Sequence, residues 1–306
     1  MKPRLPLDPV AAAVNVSPSM SAAERPSSAP VWLSLLVPGL GHVLLGQARL
    51  AVVAFVACAA LFFAGYALVG DRLFYFALLG FDRDGMAAQI VRFVPVFNLP
   101  ESLGLLFASL GTVLGFEPGF MAERRWEMPR DLEHLGAFLT GASGMLSAFF
   151  AADVAWRLRA QAAQSAAPEG AVAVAPGISP ALAAAVSWMV PGWGHVLAGQ
   201  KSKGLLVGAA VLAVFAMGMV AAQGHAVDRG IAPIWWIGQN LFGGGSLFAA
   251  VVTAPAQFGS YPPGYDMGVI FCTVAALMNL VVMVDAFTVV ERKRLGMPML
   301  GAEVHA

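Results

Sequence analysis

Two stretches of this sequence, 153 residues apart, are nearly one phrase. SLLVPGLGHVLLGQ (34–47) and SWMVPGWGHVLAGQ (187–200) agree at ten of fourteen positions. Agreement of that density is not chance, so the chain is a tandem duplication and its fold must be built twice. A weaker echo follows. GAFLTGASGMLSAFFAADVAW (136–156) aligns with GVIFCTVAALMNLVVMVDAFT (268–288) at an offset of 132, so the second copy is 21 residues shorter in its middle. The repeats predict a tail over 1–30, a first unit over 31–159 and a linker of Ala, Ser, Gly and Pro over 160–180. A second unit over 181–294 and a short tail over 295–306 complete the chain.

Each unit holds four apolar segments. Segment A covers 31–46 and 182–199, B 50–70 and 204–222, C 102–116 and 234–254, and D 135–156 and 267–290. Only 12% of the 306 residues are charged, against 58% hydrophobic. A water-soluble fold cannot cover that much apolar side chain with so little charge. The solvent is therefore lipid, and the fold class expected is an all-α polytopic membrane protein. Crossing ~30 Å of hydrocarbon takes about 20 helical residues. B and D have that length in both units, and C is marginal in the first and adequate in the second. A is short and is interrupted by Pro38, Gly39 and Gly41. It is either a broken helix packed among others or a re-entrant hairpin, giving six to eight spans in all.

Charge sets an expected orientation. Lys2, Arg4 and Arg25 precede the first A, Arg157 and Arg159 follow the first D, and Arg292, Lys293 and Arg294 follow the second. The positive-inside rule places all three groups in the cytoplasm, which makes the units parallel repeats with cytoplasmic termini. With A and C both crossing, 12 cations fall inside and 6 outside; with A re-entrant and C not crossing, 11 and 7. The tally leans slightly towards crossing, although Lys201 and Lys203 pull the other way. The N-terminal tail lacks the apolar core of a cleavable signal peptide. Cys58 and Cys272 sit inside apolar runs, without metal-ligand spacing, as small packing residues.

The turn PGxGHxxxGQ, followed in the second unit by Lys203-Gly204, resembles the short bacterial modules called two-transmembrane-helix domains, and related uncharacterised membrane proteins. Those modules carry a PGxGxxYxG-like turn, a nearby Lys-Gly and an Asp late in a following helix. The matching residues are Pro38, Gly39, Gly41, His42 and Gly46, then Pro191, Gly192, Gly194, His195 and Gly199, with Asp153 and Asp285. The family's Tyr is replaced by Leu44 and Leu197, and Leu50-Ala51 stands in the first unit where Lys-Gly is expected. The resemblance covers A, B and D and implies a bacterial integral membrane protein of the inner membrane, without a catalytic role for the motif.

Four sets of residues could carry chemistry. Pro stops a helix, the glycines permit φ > 0 and close approach, and His42 or His195 can then bond freed carbonyls; the alternative is a pair of proton carriers or ligands. Asp153 and Asp285 occupy equivalent places in D, where a carboxylate needs a partner. Asp153 stands four residues before Arg157, a spacing that permits a pair, whereas Asp285 lies deeper, with Asn279 on the same helix. If A re-enters, His195 returns to the side of Asp285; if A spans, the two are far apart. Gly141-Ala142-Ser143-Gly144 fits the GxSG pattern of rhomboid proteases, but small residues for helix packing explain it better. The loop 117–134 concentrates charge and an aromatic (Glu123, Arg124, Arg125, Trp126, Arg130), and the second unit has no equivalent. A loop of that kind is either solvated or a docking site.

No Walker loop, dinucleotide fingerprint, HExxH or paired CxxC is present. Formal charge balances at zero, so no basic field exists to collect nucleic acid. No metal, cofactor or catalytic residue is expected. The function expected is a non-enzymatic accessory or scaffold subunit, whose partners are the bilayer and other membrane proteins. The alternative is a small proton- or ion-coupled transporter with its pathway between the units, its small-molecule substrate unspecified. An intramembrane serine protease is the remote alternative.

Overall fold

The computed structural model describes residues 27–69, 132–168, 174–228, 232–253 and 261–297. The described residues form helices and turns without strands. Unit one contributes α1 (Ala29–Leu36), α2 (Leu40–Leu44), α3 (Ala48–Val69) and α4 (Glu133–Ala166). Unit two contributes α5 (Pro180–Met189), α6 (Trp193–Leu197), α7 (Lys201–Ala221), α8 (Pro233–Gln239), α9 (Gly243–Val252) and α10 (Tyr265–Arg294). Four of these, α3, α4, α7 and α10, are long and apolar enough to cross a membrane. At 1.5 Å per residue the 21 residues of α7 span about 32 Å and the 34 of α4 about 51 Å. Val52, Val53, Phe55 and Val56 on α3, and Leu205, Leu206 and Val220 on α7, are exposed. Such faces suit lipid. The chain is a multi-pass helical membrane protein.

Segment A does not cross. In each unit it is a helix, a tight turn and a second helix of five residues. The first helix has 8 residues in unit one and 10 in unit two, about 12 and 15 Å, which is half a bilayer at most. Pro dictates the break. The residues before it, Val37 and Val190, are pushed to extended backbone at φ −127°. Gly39 and Gly192 then turn the chain at φ 87° and 78° and open the second helix. The turn lies flat on the start of the next long helix. A Cβ on Gly39 would stand 2.3 Å from the carbonyl oxygen of Ala51, and one on Gly192 2.0 Å from that of Gly204. Gly41 meets the carbonyl of Pro30 and Gly194 that of Ala183 in the same manner. Every one of these contacts recurs 153 residues later.

The long helices of each unit cross at paired glycines. A Cβ on Gly65 would lie 2.6 Å from the Gly136 carbonyl, and one on Gly218 2.8 Å from that of Gly268. Absent side chains let the backbones of α3 and α4, and of α7 and α10, come together. Ser143, within the GASG stretch, donates to the Cys58 carbonyl across the α3–α4 contact at 2.9 Å.

Segment C of the second unit departs from the single span its length suggests and is divided into α8 and α9. Gly243 and Gly244 let it close on segment A, and Gly245 on Phe215 of α7; a Cβ on Gly244 would stand 1.9 Å from the Met189 carbonyl. Helix α4 continues to Ala166, into the stretch read as linker. The Ala- and Gln-rich stretch there has high helix propensity. Segment C of the first unit, 102–116, lies outside the described residues.

The units pack through a filled apolar seam of Phe138, Ala142, Ala184, Trp188, Ala250 and Met283. Phe138 stacks on Trp188 with ring centroids 6.0 Å apart. At one end Arg159 of α4 pairs with Glu291 of α10 at 2.7 Å, which puts the ends of both D helices together. All eight described Lys and Arg residues gather at that end of the bundle: Arg49, Arg157, Arg159, Lys201, Lys203, Arg292, Lys293 and Arg294.

Candidate functional site

Among the described residues, the re-entrant turns concentrate polar side chains. His42 opens onto D of its own unit, where its Nε2 donates to Oδ2 of Asp153 at 3.2 Å. The same oxygen accepts from Nε of Arg157 at 2.5 Å. His42 is fully buried, and its ring meets Phe150 edge-on at 5.9 Å. Unit two repeats the arrangement. Nε2 of His195 donates to Oδ2 of Asp285 at 2.7 Å, and Nζ of Lys203 donates to the same oxygen at 2.5 Å. Because a carboxylate that receives a cation only accepts, the imidazole proton sits on Nε2 in both. Each carboxylate charge is matched by one cation, which burial demands of Asp153, whereas Asp285 is partly exposed.

The cation comes from a different helix in each unit. At the place of Lys203, unit one has Leu50; at the place of Arg157, unit two has Val289. Unit one draws its cation from four residues along D, and unit two draws it from the start of B. The missing Lys-Gly of the first unit is thereby replaced in charge though not in position. The i,i+4 spacing disclosed Arg157; Lys203, 82 residues from its partner, carried no local signal.

The remaining glycines finish the turn. Gly46 and Gly199 lie at φ 73° and 93°. They let the amides of Gln47 and Gln200 reach the carbonyls of His42 and His195 at 2.8 Å, before the next helix starts. In unit two Lys293 caps the Ala198 carbonyl at 2.8 Å.

Asn279 has a structural task. Its amide donates to the Leu241 carbonyl at 3.0 Å and to the Trp188 carbonyl at 3.3 Å. Those carbonyls were freed where C and A break, so one D side chain serves both interruptions. Ser147, its counterpart in unit one, donates to the Ser34 carbonyl at 3.5 Å.

The candidate Ser–His pairing does not form. Ser143 is bonded to Cys58, and each turn histidine to its own Asp. Among the described residues no group of three His, Cys, Asp or Glu converges as a metal site. The residues of the charged loop, Glu123, Arg124, Arg125, Trp126 and Arg130, lie outside the described residues. The structure adds a pair that the sequence did not single out. His134, at the start of α4, stands 3.7 Å from Asp228 after α7, both buried and at the end of the bundle away from the eight cations.

A family model matches residues 29–166 and 182–296, most of the chain, in two stretches close to the two units. The chain belongs to a family of unknown function, DUF6677. No curated protein and no solved structure matches the chain. The chemistry of this DUF6677 member therefore has to be read from its own geometry. What the turns offer is a buried imidazole bonded to a neutralised carboxylate, twice over, at one end of the bundle.

Proposed function

We propose that this DUF6677 protein is a non-enzymatic accessory or scaffold subunit of a membrane complex. It sits in the inner membrane of a bacterium with both termini in the cytoplasm. The observation that carries the reading is where the intramembrane polar groups are spent. Asn279, Ser143 and Ser147 bond backbone carbonyls, and the two His–Asp–cation clusters hold the re-entrant turns to D. The seam between the units, where a transport pathway would run, is filled by Phe138, Trp188 and Met283. The eight cations at one end support a cytoplasmic assignment of that end. The resemblance of the turns to two-transmembrane-helix domains fits a module whose purpose is packing. The charged loop of the first unit is the docking element.

Deleting 120–133 tests the reading. The shortened protein inserts normally and no longer co-purifies with its membrane partner. Unchanged co-purification contradicts the docking role.

One observation favours transport as a second reading. The Nδ1 atoms of His42 and His195 are buried without a hydrogen-bond partner among the described residues. An imidazole with one bonded and one free nitrogen can pass a proton. Reconstituted vesicles separate the readings. A scaffold gives no pH-driven flux, whereas flux abolished by Asp285→Asn establishes transport.

A further inference from the structure

The cationic end of the bundle contains a groove of about 290 Å³ between the two units. Gln47, from the first turn, closes one side; Trp156, Arg157, Gln161 and Gln164 of α4 form the wall; Arg294 of α10 closes the other. The groove thus needs both units to exist. Its two arginines keep donors to spare. Arg157 uses Nε on Asp153, which leaves its two terminal nitrogens. Arg294 uses Nε on the Ala175 carbonyl and Nη1 on the Ile178 carbonyl, which leaves Nη2. No carboxylate among the described residues pairs with Arg294, and its guanidinium lies 5.2 Å above the Trp156 ring. The two carbonyl bonds hold the guanidinium in place beside that ring, so little freedom is lost when a ligand arrives.

Two guanidiniums, with the amides of Gln47 and Gln161 beside them, match the chemistry of a phosphate group, whose oxygens accept from planar forks. Among the described residues no carboxylate, which would repel an anion, lines it. The groove also sits at the cationic end of long apolar helices. Basic pockets between such helices take phospholipid headgroups. We infer that this groove binds a phosphate-bearing anion, and that the headgroup of an anionic phospholipid is the source its position fits.

Native mass spectrometry of the full chain in mild detergent tests this. The probes are phosphatidylglycerol and phosphatidylcholine at equal concentration, with inorganic phosphate as competitor. Two variants serve as controls for each other: Arg294→Gln removes a donor, and Gln161→Glu adds a repelling charge at an exposed position that the fold does not depend on. Phosphatidylglycerol is expected to occupy the protein about tenfold more than phosphatidylcholine, and each variant to erase about tenfold of that occupancy. Displacement by millimolar inorganic phosphate supports the phosphate site and identifies a soluble anion as its ligand. Resistance to it supports the lipid. Equal binding of the two lipids by the wild-type protein, or full phosphatidylglycerol occupancy in both variants, overturns the inference.

Discussion

Exchanging the cation source within the first unit probes the His–Asp–cation cluster most sharply. Arg157→Leu leaves the Asp153 carboxylate, only 8% exposed, without a cation. Removing one partner of a buried pair costs about 3–5 kcal/mol. Arg157 keeps 33% of its side chain in solvent, so the lower end, about 3 kcal/mol, applies. The matching change in the second unit, Lys203→Leu, breaks a pair whose partners are 45% and 37% exposed. Solvent screens such a pair, and its loss costs about 1 kcal/mol or less. The chain carries its own reporters, because Cys58 in unit one and Cys272 in unit two are fully buried. In detergent, a small thiol reagent reads the opening of each unit separately. Arg157→Leu should speed Cys58 labelling by about 150-fold, and Lys203→Leu should speed Cys272 labelling by fivefold at most (about 1.4 kcal/mol per tenfold). Adding Leu50→Lys to Arg157→Leu supplies a cation from the place that Lys203 uses, and should restore most of the protection. Cys58 as slow in Arg157→Leu as in the wild type, or no recovery with Lys at position 50, would refute the equivalence of the two clusters.

Three further substitutions have defined outcomes. Gly192→Ala puts a Cβ 2.0 Å from the Gly204 carbonyl at φ 78°, so the yield of folded protein in detergent chromatography should fall steeply, more than for Gly224→Ala, where nothing lies within 4 Å. Asn279→Leu strips hydrogen bonds from two interior carbonyls and should cost about 1–3 kcal/mol for each left unsatisfied, seen as a lower midpoint in detergent-induced unfolding. Ser143→Ala removes one hydrogen bond to a helix carbonyl, worth about 0.6 kcal/mol in a membrane, and should leave partner association untouched; loss of a proteolytic activity in that variant would reopen the protease reading.

The four long helices were legible because lipid demands long apolar runs, and B and D supply them. Asp153 with Arg157 was legible because helical spacing brings i and i+4 together. The rest depended on tertiary contact. Charge counting leaned towards a crossing A segment because it treats every cation as a topological vote. Lys201 and Lys203 follow the turn at the same end as Arg294, and Lys203 is held there by Asp285. Segment C of unit two was measured by its apolar length, which hid the effect of Gly243–Gly245 on its path. Asn279 stood out as a polar residue in an apolar helix, but its use needed the broken ends of A and C beside it.

Re-entry of segment A is the claim on which the clusters, the turns and the groove all stand. With Cys58 and Cys272 replaced by Ala, single cysteines at Arg49, Lys201 and Arg294 can be labelled in intact spheroplasts and in inverted vesicles with a membrane-impermeant maleimide. All three positions should label from one face, the face exposed in inverted vesicles. Labelling of position 49 or 201 from the face opposite to position 294 would mean that A crosses the membrane, and would contradict the account.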